Sequence, residues 1–165
     1  MEQSKRWEIA ANAAVVCLCL MMMSVIAWKF VLPQRPAAAA NKPPIGKILQ
    51  VPGVDWNGSD KTVVLALSTQ CRFCTESAPF YRVLAEAGKA KNVRVVALFP
   101  QTQIEALNYF QALEVPIHEV WQGSLDSILV RSTPTLLIVN RTGVVTEGWV
   151  GKLPEALQSE VIGKL

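Results

Sequence analysis

The stretch "LSTQCRFCTESAPF", residues 67–80, sets Cys71 and Cys74 three residues apart, where an apolar run gives way to a helical pattern. Cysteines at that spacing serve as a redox couple, as half of a metal site, or as two small apolar side chains. The surrounding chain has to decide among these. Upstream, "TVVLAL" (62–67) is a short β-branched run of the kind buried on both faces of a sheet. Downstream, Phe80, Val83, Leu84 and Ala87 recur at helical spacing, with Gly88 as the predicted stop. Cys71 therefore falls where a strand's carboxyl end turns into a helix, and Cys74 in the first helical turn. Unpaired N–H groups and the positive dipole end stabilise a thiolate there. Arg72 adds a cation, and both effects lower a thiol pKa from about 8.5. The spacing also lets Cys74 reach back and close a disulfide once Cys71 has attacked a substrate.

The other readings of the pair are weaker on physical grounds. A structural zinc needs four ligands, and beyond these two cysteines the predicted domain offers only His118 among soft ligands. A permanent disulfide across so short a loop gains little chain entropy. Inert buried thiols fit poorly beside Gln70, Arg72, Thr75 and Glu76, whose polarity points to partial exposure. The redox reading leads, with no metal expected and no cofactor beyond a reversible Cys71–Cys74 disulfide.

The remaining elements follow from periodicity. "NVRVVALF" (92–99) predicts a second buried strand, and Ile104, Leu107, Phe110 and Leu113 predict a helix N-capped by Thr102. "PIHEVWQ" (116–122) alternates as a strand with Ile117, Glu119 and Trp121 to one side. A short helix in "SLDSILV" leads to the strand "STPTLLIVN" (132–140), and "RTG" turns tightly into "VVTEGWV" (144–150). Pro154 opens a last helix with Leu157, Val161 and Leu165 one turn apart. Pro79 should kink the helix that carries the cysteines, while Pro134 stands at the start of a strand, where it removes no ladder bond. The order β-α-β-α-β-(short α)-β-β-α predicts an α/β fold with a mixed sheet, helices on both faces, and an antiparallel strand added by the closing hairpin. "GKILQVPGVDW" (46–56) reads as a further strand or hairpin.

The amino-terminal part is different in kind. All four methionines and two of the four cysteines lie within the first 23 residues, and Ile9–Val31 is apolar apart from Asn12, Ser24 and Lys29. That run exceeds the roughly 20 residues that span a bilayer as a helix and the roughly 7–15 of a signal-peptide core. Trp7 and Trp28 stand near its ends, as interfacial rings do. The predicted organisation is a tail (1–8), a transmembrane helix (9–31), a Pro/Ala linker (32–44) and one domain (45–165). Cleavage near Ala38 and Ala40 is the alternative. The short tail places the domain outside the cytoplasm, although positive charges flank both ends of the span. Cys17 and Cys19, two apart, face nearly opposite sides of a helix and read as lipid-facing filler. From Pro33 onward 13 Lys/Arg stand against 11 Asp/Glu without a basic cluster, which argues against a nucleic-acid partner.

Taken together, a strand, Cys-X-X-Cys at a helix start, Pro79 five residues after Cys74 and "STPT" entering a hairpin resemble the thioredoxin superfamily. The amino-terminal span, the short helix before "STPT" and "TPTLLIVNRTGVVTEGWVG" are most similar to membrane-anchored TlpA/ResA-type thiol–disulfide oxidoreductases. The resemblance covers residues 45–165 in element order and is specific at 71–79 and 132–151. It implies a thioredoxin-like fold, Cys71 as attacking thiol, Cys74 as resolving thiol, a cis Pro134, and Thr133 offering backbone groups to a substrate. It implies action at the cell membrane on exported proteins with thiols or disulfides, recharged by a membrane electron-donor thiol protein. The chain departs from the pattern at Gln70, where Trp is usual, and at Ser77, where a helix Glu is common (Glu76 stands one place early). Arg72-Phe73 leaves the direction of electron flow open, with reduction favoured by subtype. Ser68, three residues before Cys71, also keeps open a peroxiredoxin-like peroxidase, although "VVLALS" lacks the proline such loops carry. A non-catalytic binding domain using a groove near Trp121 or Trp149 is the third reading.

Overall fold

The computed structural model describes residues 15–23, 42–51 and 54–165. The chain divides into two units, Met1–Ala37 and Ala38–Leu165. In the first, residues 15–23 are helical with exposed side chains. The rest of the predicted span lies outside the described residues, as do the tail and most of the linker. Among the described residues no helix is long and apolar enough to cross a membrane.

The second unit is built on a five-stranded sheet. Its strands are β1 (Lys61–Ala66), β2 (Arg94–Phe99), β3 (Val120–Gln122), β4 (Thr135–Asn140) and β5 (Val145–Val150), in spatial order β3-β2-β1-β4-β5. The helices are α1 (Arg72–Glu76), α2 (Ala78–Ala90), α3 (Gln103–Ala112) and α4 (Glu155–Lys164), with a 3-10 turn at Leu125–Ile128. β1 pairs with β2 in parallel and with β4 antiparallel; β2–β3 is parallel and β4–β5 antiparallel. The change of direction therefore comes at β4, one strand earlier than the closing hairpin predicts.

The central strands are apolar throughout because both their faces are covered. Val63, Leu65, Phe99, Leu136 and Ile138 point into one core with Phe80, Leu84, Phe110 and Val161 of the helices. Val64, Ala66, Val96, Leu98, Leu137 and Val139 point into a second core with Leu49, Ile128 and Val130. Among the described residues, the buried apolar side chains of all four α-helices lie in the first core, and the 3-10 turn with residues around Leu49 and Trp56 covers the opposite face. This corrects the expectation of helices on both faces. Parallel crossovers are right-handed, and β1, β2 and β3 step in one direction across the sheet, so both crossover helices land on the same side.

Other differences are local. The strand expected over 116–122 shrinks to three residues, and Ile117 shares the first core with Val120 while Trp121 packs against the second. Among the described residues of 46–56 no strand forms: one bridge joins Ile48 to Val144, and Gly46 and Leu49 donate to the Val145 and Gly143 carbonyls at 2.8 Å, covering the outer edge of β5. Pro43 and Pro44, read as linker, belong to this segment and lie with the folded unit. Val83 and Ile104, placed on buried helix faces by periodicity, are exposed. Thr102 caps α3 in a reciprocal box: its hydroxyl accepts from the Glu105 N–H, and the Glu105 carboxylate accepts from the Thr102 N–H.

Gly88 lies inside α2 rather than ending it, buried against β2. A Cβ there would come within 2.5 Å of Val95 Cγ2 and 3.1 Å of the Val93 carbonyl. Alanine normally favours a helix over glycine by about 1 kcal/mol, but overpacking costs about 1–3 kcal/mol. Gly88→Ala should therefore destabilise the domain, with a lower denaturation midpoint. An unchanged or raised midpoint would refute the close approach.

Candidate active site

The helix that begins after β1 breaks almost at once. Pro79 has no N–H to offer the Thr75 carbonyl, and Ser77 adopts φ −90°, ψ 0° between α1 and α2. The Ser77 N–H donates at 3.2 Å to the Phe73 and Cys74 carbonyls, and its hydroxyl donates at 2.7 Å to the Phe73 carbonyl. Pro79 then sits in the first turn of α2, where a missing donor costs nothing. The predicted kink is thus a full break, and a single short helix presents the two cysteines. Cys71 is its N-cap residue, and Cys74 is completely buried one turn on.

β1 and β4 pair so that Ala66 faces Thr135, which brings the residues after β1 and before β4 to one edge of the sheet. Cys71 and Thr133 meet there: the Cys71 Sγ donates to the Thr133 carbonyl oxygen at 3.3 Å. The Thr133-Pro134 peptide bond is cis. All four candidate residues thus converge at this edge: Cys71 half-buried, Cys74 beneath it, and Thr133 and Pro134 facing from across.

The two thiols differ in character. Burial pushes the Cys71 thiol up, but hydrogen bonds from the Cys74 thiol, from the Thr133 side chain and from the N–H groups of Cys74 and Phe73 outweigh it and hold Cys71 below the ordinary value. For Cys74 burial dominates and, reinforced by the hydrogen bond to Cys71, pushes its pKa up to about 12. The cation expected to help does not: the Arg72 Nε donates to Glu76 at 2.6 Å and faces solvent. Backbone N–H groups and the second thiol do the work instead.

Several neighbours gave no signal in the sequence; Lys152 and Tyr109 lie far from the cysteines along the chain, and Tyr81 reads as core. Lys152 bonds Glu76 at 2.9 Å and ties α1 to the segment after β5. Lys152 first, then Arg72, hold the Glu76 carboxyl below its usual range. The Thr75 hydroxyl pairs with the Tyr109 hydroxyl of α3 at 3.1 Å. Tyr81 is buried and its hydroxyl has no partner among the described residues. Ser77 is close enough to act on it, yet the Ser77 hydroxyl is engaged with Phe73. Burial, helped by Cys74, raises the Tyr81 phenol well above its usual range.

The features of the rival readings also find their places. The Ser68 hydroxyl accepts from Gln101 Nε2 at 3.1 Å and from the Gln70 N–H at 3.3 Å. Trp121 packs edge-on against Trp56, with ring centroids 5.7 Å apart, and Trp149 packs on the first core. His118 is exposed. Among the described residues no three His, Cys, Asp or Glu side chains converge to hold a metal.

This combination of sheet, broken helix and paired thiols defines a thioredoxin-like fold, and solved structures bear that out. A protein described as thiol:disulfide interchange protein DsbE from Chlorobium tepidum matches with a TM-score of 0.53 and 22% identity, over 74% of this chain and 95% of that one. The thioredoxin domain of a thiol-disulfide oxidoreductase from Bacteroides vulgatus matches with a TM-score of 0.58 and 13% identity, over 74% and 98%. StoA from Bacillus subtilis gives 0.51 and 15%, over 72% and 99%. No protein-family model and no curated protein matches the sequence.

The asymmetry of the thiols has a direct readout. In the reduced full chain, iodoacetamide at neutral pH should modify Cys71 at least about a hundredfold faster than Cys74, because the thiolate is the reacting form. The Cys71 rate should level off below the ordinary thiol pKa, and Cys74 should stay inert until pH approaches its raised value. Peptide mapping that finds Cys74 labelled as fast as Cys71 would overturn the assignment.

Proposed function

We propose that this protein is a thiol–disulfide oxidoreductase acting on protein disulfides through Cys71 and Cys74. The observation that carries the reading is the pairing of a half-exposed, low-pKa Cys71 with a buried Cys74 pushed up to about 12, at the sheet edge beside Thr133. One thiol is poised to attack and the other is kept protonated until it is needed.

In the reducing direction the Cys71 thiolate attacks one sulfur of a substrate disulfide. The second substrate sulfur leaves as a thiolate and takes a proton from water. Cys74 then loses its proton and attacks the Cys71 sulfur, which releases the first substrate sulfur as a thiolate that is protonated in turn. The protein is left with a Cys71–Cys74 disulfide, and two electrons have passed to the substrate. A donor dithiol reverses these steps to recharge it. Thr133 and Pro134 form the opposite wall, where an extended substrate segment can pair with the Thr133 backbone as an added strand.

The finer parts of the reading rest on the sequence. Residues 9–31 anchor the chain in a membrane, supported by their apolar length, and the domain works outside the cytoplasm on exported proteins, recharged by a membrane thiol donor. Reduction as the net direction follows from the resemblance of subtype.

The detergent-solubilised full chain should catalyse dithiothreitol-dependent reduction of insulin disulfides. Cys71→Ser should abolish the activity and trap nothing, while Cys74→Ser should accumulate mixed disulfides on Cys71. Peroxide consumption without insulin reduction would replace this reading with a peroxidase. For location, reporter enzymes fused after residue 42 should be active only where the reporter needs export; activity confined to a cytoplasm-dependent reporter would refute the placement.

A further inference from the structure

A second feature stands at the same edge of the sheet. The 3-10 turn Leu125–Ile128 ends at Leu129 in the left-handed region, φ 57°. The chain then buries Val130, whose N–H donates to the Leu125 carbonyl at 3.0 Å, and turns Arg131 outward. The next carbonyl, that of Ser132, accepts from the Thr135 hydroxyl at 2.8 Å. Arg131 is thus held between two fixed residues, two positions before the carbonyl that meets Cys71. Lys42 approaches from the other side, and Pro43 next to it lies so close to β5 that a Cβ on Gly148 would fall 2.4 Å from it. Lys42 and Arg131 line one cavity of about 170 Å³ with Ser132, Thr135 and Val150.

The charges in this cavity are unbalanced. Its lining holds two cations and no carboxylate. Neither Lys42 nor Arg131 has an ion pair or hydrogen bond among the described residues. Asp126 shares a neighbouring open groove with Arg131 but forms no ion pair with it. By contrast, the acidic group nearest the cysteines on α1, Glu76, is already bound by Arg72 and Lys152. Two unpaired cations around a polar hollow, with the Ser132 hydroxyl beside them, suit a carboxylate.

We propose that this cavity is a specificity subsite that takes the side-chain carboxylate of an Asp or Glu lying near the cysteine of a protein substrate. The inference rests on the oxidoreductase reading and adds to it the class of substrate. A segment paired along Thr133 runs past Ser132 and Arg131, so residues a few positions from its cysteine come over the cavity. Acidic flanks are held there, and basic flanks meet Arg131 and Lys42 with like charge.

The test compares disulfide-cyclised peptides carrying two Glu, two Gln or two Lys on either side of one cysteine, each reduced in a single turnover by the reduced full chain in neutral detergent. In one of the two placements the Glu peptide should react about three- to tenfold faster than the Gln peptide, the range expected of partly exposed pairs acting together. The Lys peptide should be slower than both. The Glu-to-Gln ratio, taken within each protein so that general effects cancel, should fall to one in the Lys42→Gln, Arg131→Gln double variant. It should also fall in wild type at 1 M salt, where the screening length is about 3 Å. A wild-type ratio of one in both placements, with the uncharged hydroxyethyl disulfide still reduced, overturns the subsite and leaves the redox reading standing. A ratio that persists in the double variant, or sulfate bound in the cavity without effect on the ratio, overturns it too. Failure to reduce any of these disulfides removes the redox reading and the subsite with it.

Discussion

The pairing of β1 with its two neighbours governs what the domain can do. β1 runs parallel to β2 on one side and antiparallel to β4 on the other, with Ala66 opposite Thr135. An antiparallel partner puts the end of one strand beside the start of the next, so residues 62 positions apart along the chain become a contact between Cys71 and Thr133. A one-residue slip would turn every side chain of β4 to the other face. It would bring Leu136 and Ile138 out of the first core and Leu137 and Val139 out of the second. The site is therefore secured by the burial of both faces, rather than by any bond of its own.

Within that frame the chemistry depends on depth. Cys71 and Cys74 are separated by one helical turn, yet one is half-exposed and hydrogen-bonded while the other is sealed beneath it. The difference arises because Ser77 and Pro79 stop α1 after five residues, leaving a short helix whose inner side buries Cys74 in the first core. Its outer side carries Arg72 and Phe73 into solvent. The dipeptide between the thiols thus lies at the surface, while Cys74 is shielded from solvent.

Much of this was legible in the sequence, for identifiable reasons. "TVVLAL", "NVRVVALF" and "TLLIVN" read as buried strands because both their faces are covered, and Thr102 marked the start of α3, whose reciprocal partner Glu105 the structure adds. Pro79 announced a kink where the structure has a full break, and Thr133 and Pro134 were placed at the site through resemblance. What periodicity could not give was orientation. Val83 and Ile104 fit a helical stripe, but the angle at which each helix meets the sheet leaves them outside. The layering was misread because alternating elements do not reveal whether successive strands step in one direction or reverse. Arg72 was credited to Cys71, although Glu76, four residues on along the same helix, is placed to claim it. Lys152, Tyr109 and Lys42 come near this edge only through the fold.

The central claim is that Cys71 and Cys74 form one reversible couple. It is tested most directly by equilibrating the full chain across a series of glutathione redox buffers and mapping its cysteines by mass spectrometry. Cys71 and Cys74 should lose their hydrogens together in one transition, with a bond between the two sulfurs and full recovery of both thiols on the reducing side. Stable glutathione adducts on Cys71 with Cys74 still a free thiol, or cysteines that do not interconvert at all, would contradict the account.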